Sequence, residues 1–585
     1  MARKRTVVLI ILLVFVFFTM LFGIGGLALV ALLHEPKTAV EDGSILVLDL
    51  RDPIEEVTER PLIRSIFGET PASLLETVRL LRAAGEDDRI DGVFVRTGVL
   101  GGVGWAGAGE LRDALLEFRE SGKPAHVYID YATDLTYYVA SAADRIAMPP
   151  TGILLLDGIY GNVLFLKNLF AKADVSFEEV HAGDYKSAPE TFTRDSMSGE
   201  FREQIEALLD NRFEAMLRAI AEGRSMTVED ARRAVDGGPY LVPEAARAAG
   251  LIDTICGRED LDEAFGLARG ETSLLLPMSD YRDSDVLSEG AARRAIAVVY
   301  VVGDILPGEE RDGLMGPRVA ASGVIADAID EAAEDEEVEA IVVRVSSPGG
   351  SATASDEILG ALDAAKAEKP VIVSMGDVAA SGGYWVSTGA DLILADETTI
   401  TGSIGVFALR PVLHRFLDKI GVGLEELKRG RNADILASPK PWSDEQRRIM
   451  RVGIDHVYDL FLSKVSGGRG LAVEEVEEIA GGRVWSGADA ARLKLVDRLG
   501  GVLDALEAAQ SLAGIPAEEK IEIRVFPKER SLLEKIRDGD FGIRGAARAE
   551  VRSLLARYGL DEADILPYTG EHGVLWAYLP FRIGE

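Results

Sequence analysis

A pattern that occurs twice constrains this chain more than any single motif does. Tyr137-Tyr138-Val139-Ala140-Ser141-Ala142-Ala143-Asp144 returns as Tyr384-Trp385-Val386-Ser387-Thr388-Gly389-Ala390-Asp391. Ile90-Asp91-Gly92-Val93-Phe94-Val95-Arg96 returns as Val338-Glu339-Ala340-Ile341-Val342-Val343-Arg344, and Gly250-Leu251-Ile252-Asp253 as Lys494-Leu495-Val496-Asp497. The separation stays near about 247 positions, far beyond the period of a solenoid repeat. The chain therefore reads as a tandem duplication of a whole domain. Its 585 residues are also too many for one core.

Within each copy, short apolar runs alternate with amphipathic helical patterns. Residues 45–50, 93–96, 125–129 and 296–302 read as strands, and residues 203–221 and 445–465 as helices. That alternation predicts βα units and an α/β fold. The expected division is an N-terminal segment (1–40), a first repeat (41–290), a second repeat (291–512) and an unassigned tail (513–585). Residues 7–33 form an uncharged apolar run behind Arg3, Lys4 and Arg5. The run is long enough to span a bilayer, and the basic cluster should stay cytoplasmic, placing the bulk of the chain on the far side. A removed signal segment is the competing reading, with Ala28-Leu29-Val30-Ala31 the nearest approach to a cleavage motif.

Net charge is −34, the opposite of a nucleic-acid footprint. A lone cysteine, Cys256, cannot form an internal disulfide or a thiolate cluster, and the six histidines form no HExxH. An enzyme built on this sequence needs chemistry without histidine or metal.

Comparing the copies locates candidates. Residues 371–391 read as a buried strand that breaks at Ala379-Ala380-Ser381-Gly382-Gly383 and continues as a helix. A serine at a helix start lies beside unpaired backbone N–H groups, which suit the anion formed when a hydroxyl attacks a carbonyl. At the equivalent position the first copy has Asp134. Conversely, Gly183-Asp184-Tyr185-Lys186-Ser187-Ala188 in the first copy has Ala433 opposite Lys186 in the second. One half kept a serine and the other a lysine, and two such half-sites can combine into one. A lysine serves as a base near neutrality only if burial lowers its pKa; Asp184 in the same loop would oppose that. Arg344-Val345-Ser346-Ser347-Pro348-Gly349-Gly350-Ser351 and Thr401-Gly402-Ser403-Ile404-Gly405 are two further small-residue loops. The glycine-rich stretch 98–109 has no assigned role.

Together the three loops and the lysine motif resemble the signal peptide peptidase A family in its long, two-domain form, among the S49 Ser–Lys peptidases. The resemblance covers the N-terminal anchor and roughly residues 45–506. It implies tandem Clp-protease/crotonase-like domains, with Ser381 as nucleophile, Lys186 as general base and Ser403 holding the lysine. It places an oxyanion donor at Gly349 or Gly350 beside Gly382, and it implies no cofactor. It further implies a homotetramer at the bacterial inner membrane, single-pass, its catalytic body periplasmic, degrading released signal peptides. The rivals are a crotonase-type enzyme acting on acyl-CoA thioesters, or a non-catalytic membrane scaffold of the same fold.

Overall fold

A computed structural model describes residues 39–57, 72–261, 265, 275–284, 286–287, 293–308, 319–527 and 576–577. The expected membrane span at 7–33 lies outside them. Among the described residues no helix is long and apolar enough to cross a membrane.

Each repeat builds a mainly parallel sheet. In the first, the order is Thr254–Ile255, Arg145–Met148, Ala125–Tyr128, Ile90–Arg96, Ser44–Asp49, Leu275–Pro277. In the second it is Val484–Ser486, Ile400–Gly402, Val371–Ala380, Val338–Ser347, Ala295–Val302, Glu522–Phe526, with Leu392–Ala395 also paired to Val371–Ala380. Parallel strands covered on both faces read as unbroken apolar runs. Val342 accordingly sits opposite Val298 and Ile372, all fully buried. Helices between the strands begin where side chains replace missing intrahelical partners. Ser73 accepts from Glu76 N–H, Ser198 from Phe201 N–H, and Ser443 forms a capping box with Gln446.

The last strand of the second sheet moves an expected boundary. Glu522–Phe526 pairs with Ala295–Val302 just as Leu275–Pro277 pairs with Ser44–Asp49. The second repeat therefore extends past residue 512, and residues 513–585 are not one appendage. Ile521-Glu522-Ile523-Arg524-Val525-Phe526 has the alternation of an edge strand.

The two repeats share a core. One apolar cluster runs from Leu46, Val93 and Leu111 of the first to Val298, Val342 and Leu394 of the second. Helix Trp105–Glu120 of the first repeat lies at this seam and explains the glycine-rich stretch. Asp377 of the second repeat accepts from the N–H groups of Gly104, Ala106 and Gly107 at 2.7, 2.9 and 3.2 Å. A carboxylate at a helix N-terminus satisfies donors that lack partners. A Cβ on Gly109 would stand 2.6 Å from Asp396 Oδ2, so side chains there would push the halves apart. Beneath the helix, fully buried Arg344 is gripped by Glu56 (2.7 Å) and Glu110 (2.6 Å) of the first repeat and by Ser374 Oγ (2.8 Å). Glu110 also accepts from Val502 N–H at 2.8 Å.

A third sheet crosses the seam. Its order is Val319–Ala321, Asp304–Leu306, Gly350–Ser351, Trp576–Ala577, Val406–Val412, Ser176–Ala182. Only Ser176–Ala182 comes from the first repeat, antiparallel to Val406–Val412, with Ala182 opposite Val406. That pairing delivers the loop that follows Ala182 to the second repeat.

Candidate active site

Strand Val371–Ala380 ends directly at Ser381, and helix Gly382–Ser387 begins with the next residue. Ser381 holds φ 56° and ψ −114°, a conformation that non-glycine residues adopt only when the surroundings enforce it. The following glycines are required by close approach. A Cβ on Gly382 would lie 2.6 Å from Ser355 Oγ, and one on Gly383 would lie 2.7 Å from the Ser347 carbonyl oxygen. The sharp turn aims the hydroxyl away from its own strand, into a space where Ser381 is fully buried.

Into that space comes Lys186, 2 % exposed. Its Nζ lies 2.8 Å from Ser381 Oγ, 3.0 Å from Ser403 Oγ and 3.0 Å from the Ser403 carbonyl oxygen. Burial pushes the amine well below the usual lysine range, with no other cause acting on it. The loop's own carboxylate, Asp184, is exposed to solvent, which removes the objection it raised. A neutral amine offers two N–H donors and one lone pair. The two Ser403 oxygens accept both donors, and the lone pair is left to receive the Ser381 proton.

The lysine loop is fastened to the other repeat by residues with no obvious sequence signal. Tyr185 N–H donates to the Gly481 carbonyl at 2.9 Å. Buried Gln204, on helix Gly199–Gly223, donates to the Tyr185 carbonyl (3.2 Å) and Ser187 Oγ (2.8 Å) and accepts from Val484 N–H (3.1 Å). A Cβ on Gly482 would stand 2.6 Å from Lys186 Cα. A polar residue among the apolar positions Phe201, Ile205 and Leu208 is the one sequence hint of Gln204.

The expectation for the oxyanion loop needs one correction. Gly349 N–H donates to Ser347 Oγ at 3.1 Å, so it is already engaged. Gly350 is the loop amide beside the serine: its nitrogen lies 3.1 Å from where a Gly382 Cβ would be. Gly350 has φ +156°, and a Cβ on it would stand only 2.1 Å from the Ile305 carbonyl oxygen, so residue 350 must be glycine. Gly350 is thus the residue of this loop whose nitrogen packs against Gly382, the residue that follows Ser381.

The reciprocal half-site does not form within the chain. Asp134 accepts from Gly158 N–H of its own repeat at 3.1 Å, and Ala433 is exposed. Among the described residues no group of three His, Cys, Asp or Glu side chains is placed to hold a metal.

Comparison with known proteins identifies the chain's relatives as peptidases. The chain is 32% identical to Protease 4 of Salmonella typhi over 87% of its own length and 83% of that protein. It is 31% identical to the chloroplastic serine protease SPPA of Arabidopsis thaliana over 86% of this chain and 74% of that one. A putative signal peptide peptidase SppA of Enterococcus faecium is 32% identical over 44% of this chain and 75% of that protein. The family model for Peptidase family S49 matches residues 117–267 and 363–516, one stretch in each repeat. With a matching stretch in both halves and relatives aligned along most of its length, the chain belongs to peptidase family S49 and is a serine peptidase.

Proposed function

We propose that this chain is a membrane-anchored endopeptidase in which Ser381 and Lys186 form the catalytic dyad and whose substrates are signal peptides left in the membrane. The observation that carries the reading is the 2.8 Å approach of a buried lysine amine, with no carboxylate beside it, to a buried serine hydroxyl.

The reaction follows from that geometry. Neutral Lys186 takes the Ser381 proton as Oγ attacks the scissile carbonyl carbon. The carbonyl oxygen becomes an anion between the Gly350 and Gly382 N–H groups, donors fixed before the charge develops. Protonated Lys186 then gives its proton to the leaving amine, and the acyl group stays on Oγ. Water, deprotonated by the same amine, releases the acid and restores the serine. Ser403 keeps the amine oriented throughout.

Anchoring rests on the apolar run at 7–33 behind its basic cluster, and signal peptides as substrates on the name of the Enterococcus relative. The body would then lie on the periplasmic side of a bacterial inner membrane, as a homotetramer. The test is the full-length protein in lipid vesicles incubated with a synthetic signal peptide. Cleavage within the apolar stretch is expected, and none by Ser381→Ala. Hydrolysis of soluble polar peptides with the signal peptide left intact would overturn the assignment of substrate.

A further inference from the structure

Arg483 touches the neighbours of the lysine in both repeats. Through its backbone it supports Ser403: the Arg483 carbonyl accepts from Ser403 N–H at 2.7 Å. Ser403 needs that support, because its φ of 52° is a left-handed conformation in a residue other than glycine. The residue before it is committed as well, since the Gly402 carbonyl accepts from Ser381 N–H at 2.8 Å. A Cβ on Gly402 would stand 3.1 Å from the Arg483 carbonyl oxygen and 2.9 Å from Trp485 Cδ1. The two segments are therefore in direct contact.

Through its side chain Arg483 grips the lysine loop of the other repeat. The guanidinium lies over the Tyr185 ring, 4.9 Å from its centroid, and over the Trp485 ring at 4.2 Å. It donates to Tyr185 Oη at 3.3 Å and pairs with Glu203 of helix Gly199–Gly223 at 2.8 Å. Tyr185 Oη in turn donates to Glu203 at 2.9 Å. A planar guanidinium can lie against a ring and donate in its own plane at the same time. The contacts close a circuit. Lys186 Nζ bonds Ser403, Ser403 N–H bonds the Arg483 carbonyl, the Arg483 guanidinium holds Tyr185, and one peptide bond joins Tyr185 to Lys186.

We propose that Arg483 is a positioning residue for the reaction: it locks Tyr185 and Ser403 to one another and so holds the Lys186 amine against Ser381. The inference rests on the dyad reading above. It assigns Arg483 a part distinct from that of Gln204, whose bonds go to Tyr185, Ser187 and Val484. Cutting the circuit frees the amine to drift, and a misplacement of about 1 Å can cost about a hundredfold in rate.

The test compares the full chain with Arg483→Leu and with Arg483→Lys. Lysine keeps a charge opposite Glu203 but has no flat face for a ring, so it retains the ion pair should the leucine variant fail to fold. Activity is read on a synthetic signal peptide. The Lys186 amine is titrated by NMR in Ser381→Ala protein carrying ¹³C-labelled lysine, its resonance assigned by its absence in Lys186→Ala. In Arg483→Leu kcat should fall about tenfold or more with KM nearly unchanged. The amine midpoint and the acid limb of the activity profile should rise together by about one pH unit, as water reaches the amine. Arg483→Lys should move both in the same direction by less. An amine midpoint unchanged in the variants that fold would overturn the proposal, whatever becomes of kcat or the melting temperature. If the midpoint rises while a fluorophosphonate leaves Ser381 of the wild type unlabelled, Arg483 still holds the amine and it is the dyad reading that falls.

Discussion

Lys186 is held where it is useful and costly at once. A buried amine is neutral in the fold, whereas the unfolded chain binds a proton below the ordinary lysine value of about 10.4. The folded pKa is depressed by burial, so stability climbs as pH rises from the folded value toward the ordinary one. Lys186→Met should abolish peptidase activity and leave a more stable protein. The gain should be about 1.4 kcal/mol for each pH unit below the ordinary value, until the folded pKa is reached. Denaturant unfolding of both proteins at several pH values reads this out, and the gap should close on approaching pH 10. A Met variant less stable at every pH would mean that the amine carries its charge in the fold. In the wild-type enzyme, activity should fall along one ionisation as pH drops through the folded pKa of the amine.

At the scale of elements, the site depends on how loops of one repeat are pinned to strands of the other. Gln204→Leu removes the bonds to Tyr185, Ser187 and Val484, leaving buried polar atoms unpaired at roughly 1–3 kcal/mol each. The lysine loop should loosen, with kcat falling tenfold or more and KM nearly unchanged. The acid limb of the pH profile should also move upward as the amine gains contact with water. An unaltered midpoint with lowered stability would leave Gln204 a structural role only. This staple was not legible in the sequence, because the partner it reaches in the other repeat, Val484, lies 280 positions away. Ser381 and Lys186 were legible for the opposite reason: the duplication supplies an internal comparison, and each copy lacks what the other retains. The allocation between Gly349 and Gly350 was decided by the Ser347 hydroxyl, a contact that no spacing encodes. The edge strand Glu522–Phe526, by contrast, had an alternating pattern and a counterpart in Leu275–Pro277, so the second repeat could have been extended from sequence.

For the whole molecule, the two repeats behave as one body because their seam is a core with a buried ion cluster. Arg344→Met leaves buried Glu110 and half-buried Glu56 without their cation, which should destabilise the protein by about 3–5 kcal/mol. Burial already pushes the Glu110 carboxyl up to about 7. A carboxyl with a raised folded pKa loses stability as pH rises, so the Met variant should suffer more at pH 8 than at pH 5.5, measured by thermal unfolding. Equal losses at both would show that the cluster is not the origin. The same seam brings Lys186 of the first repeat to Ser381 of the second, and one experiment addresses that pairing most directly. A fluorophosphonate probe is reacted with the wild type, with Lys186→Ala, and with Lys186→Ala combined with Ala433→Lys, and the labelled residue is mapped by mass spectrometry. Ser381 should be labelled in the wild type and unlabelled in both variants, since a lysine at 433 sits on an exposed loop. Labelling of a different residue, undiminished labelling in Lys186→Ala, or recovery in the double variant would contradict a dyad formed across the two repeats.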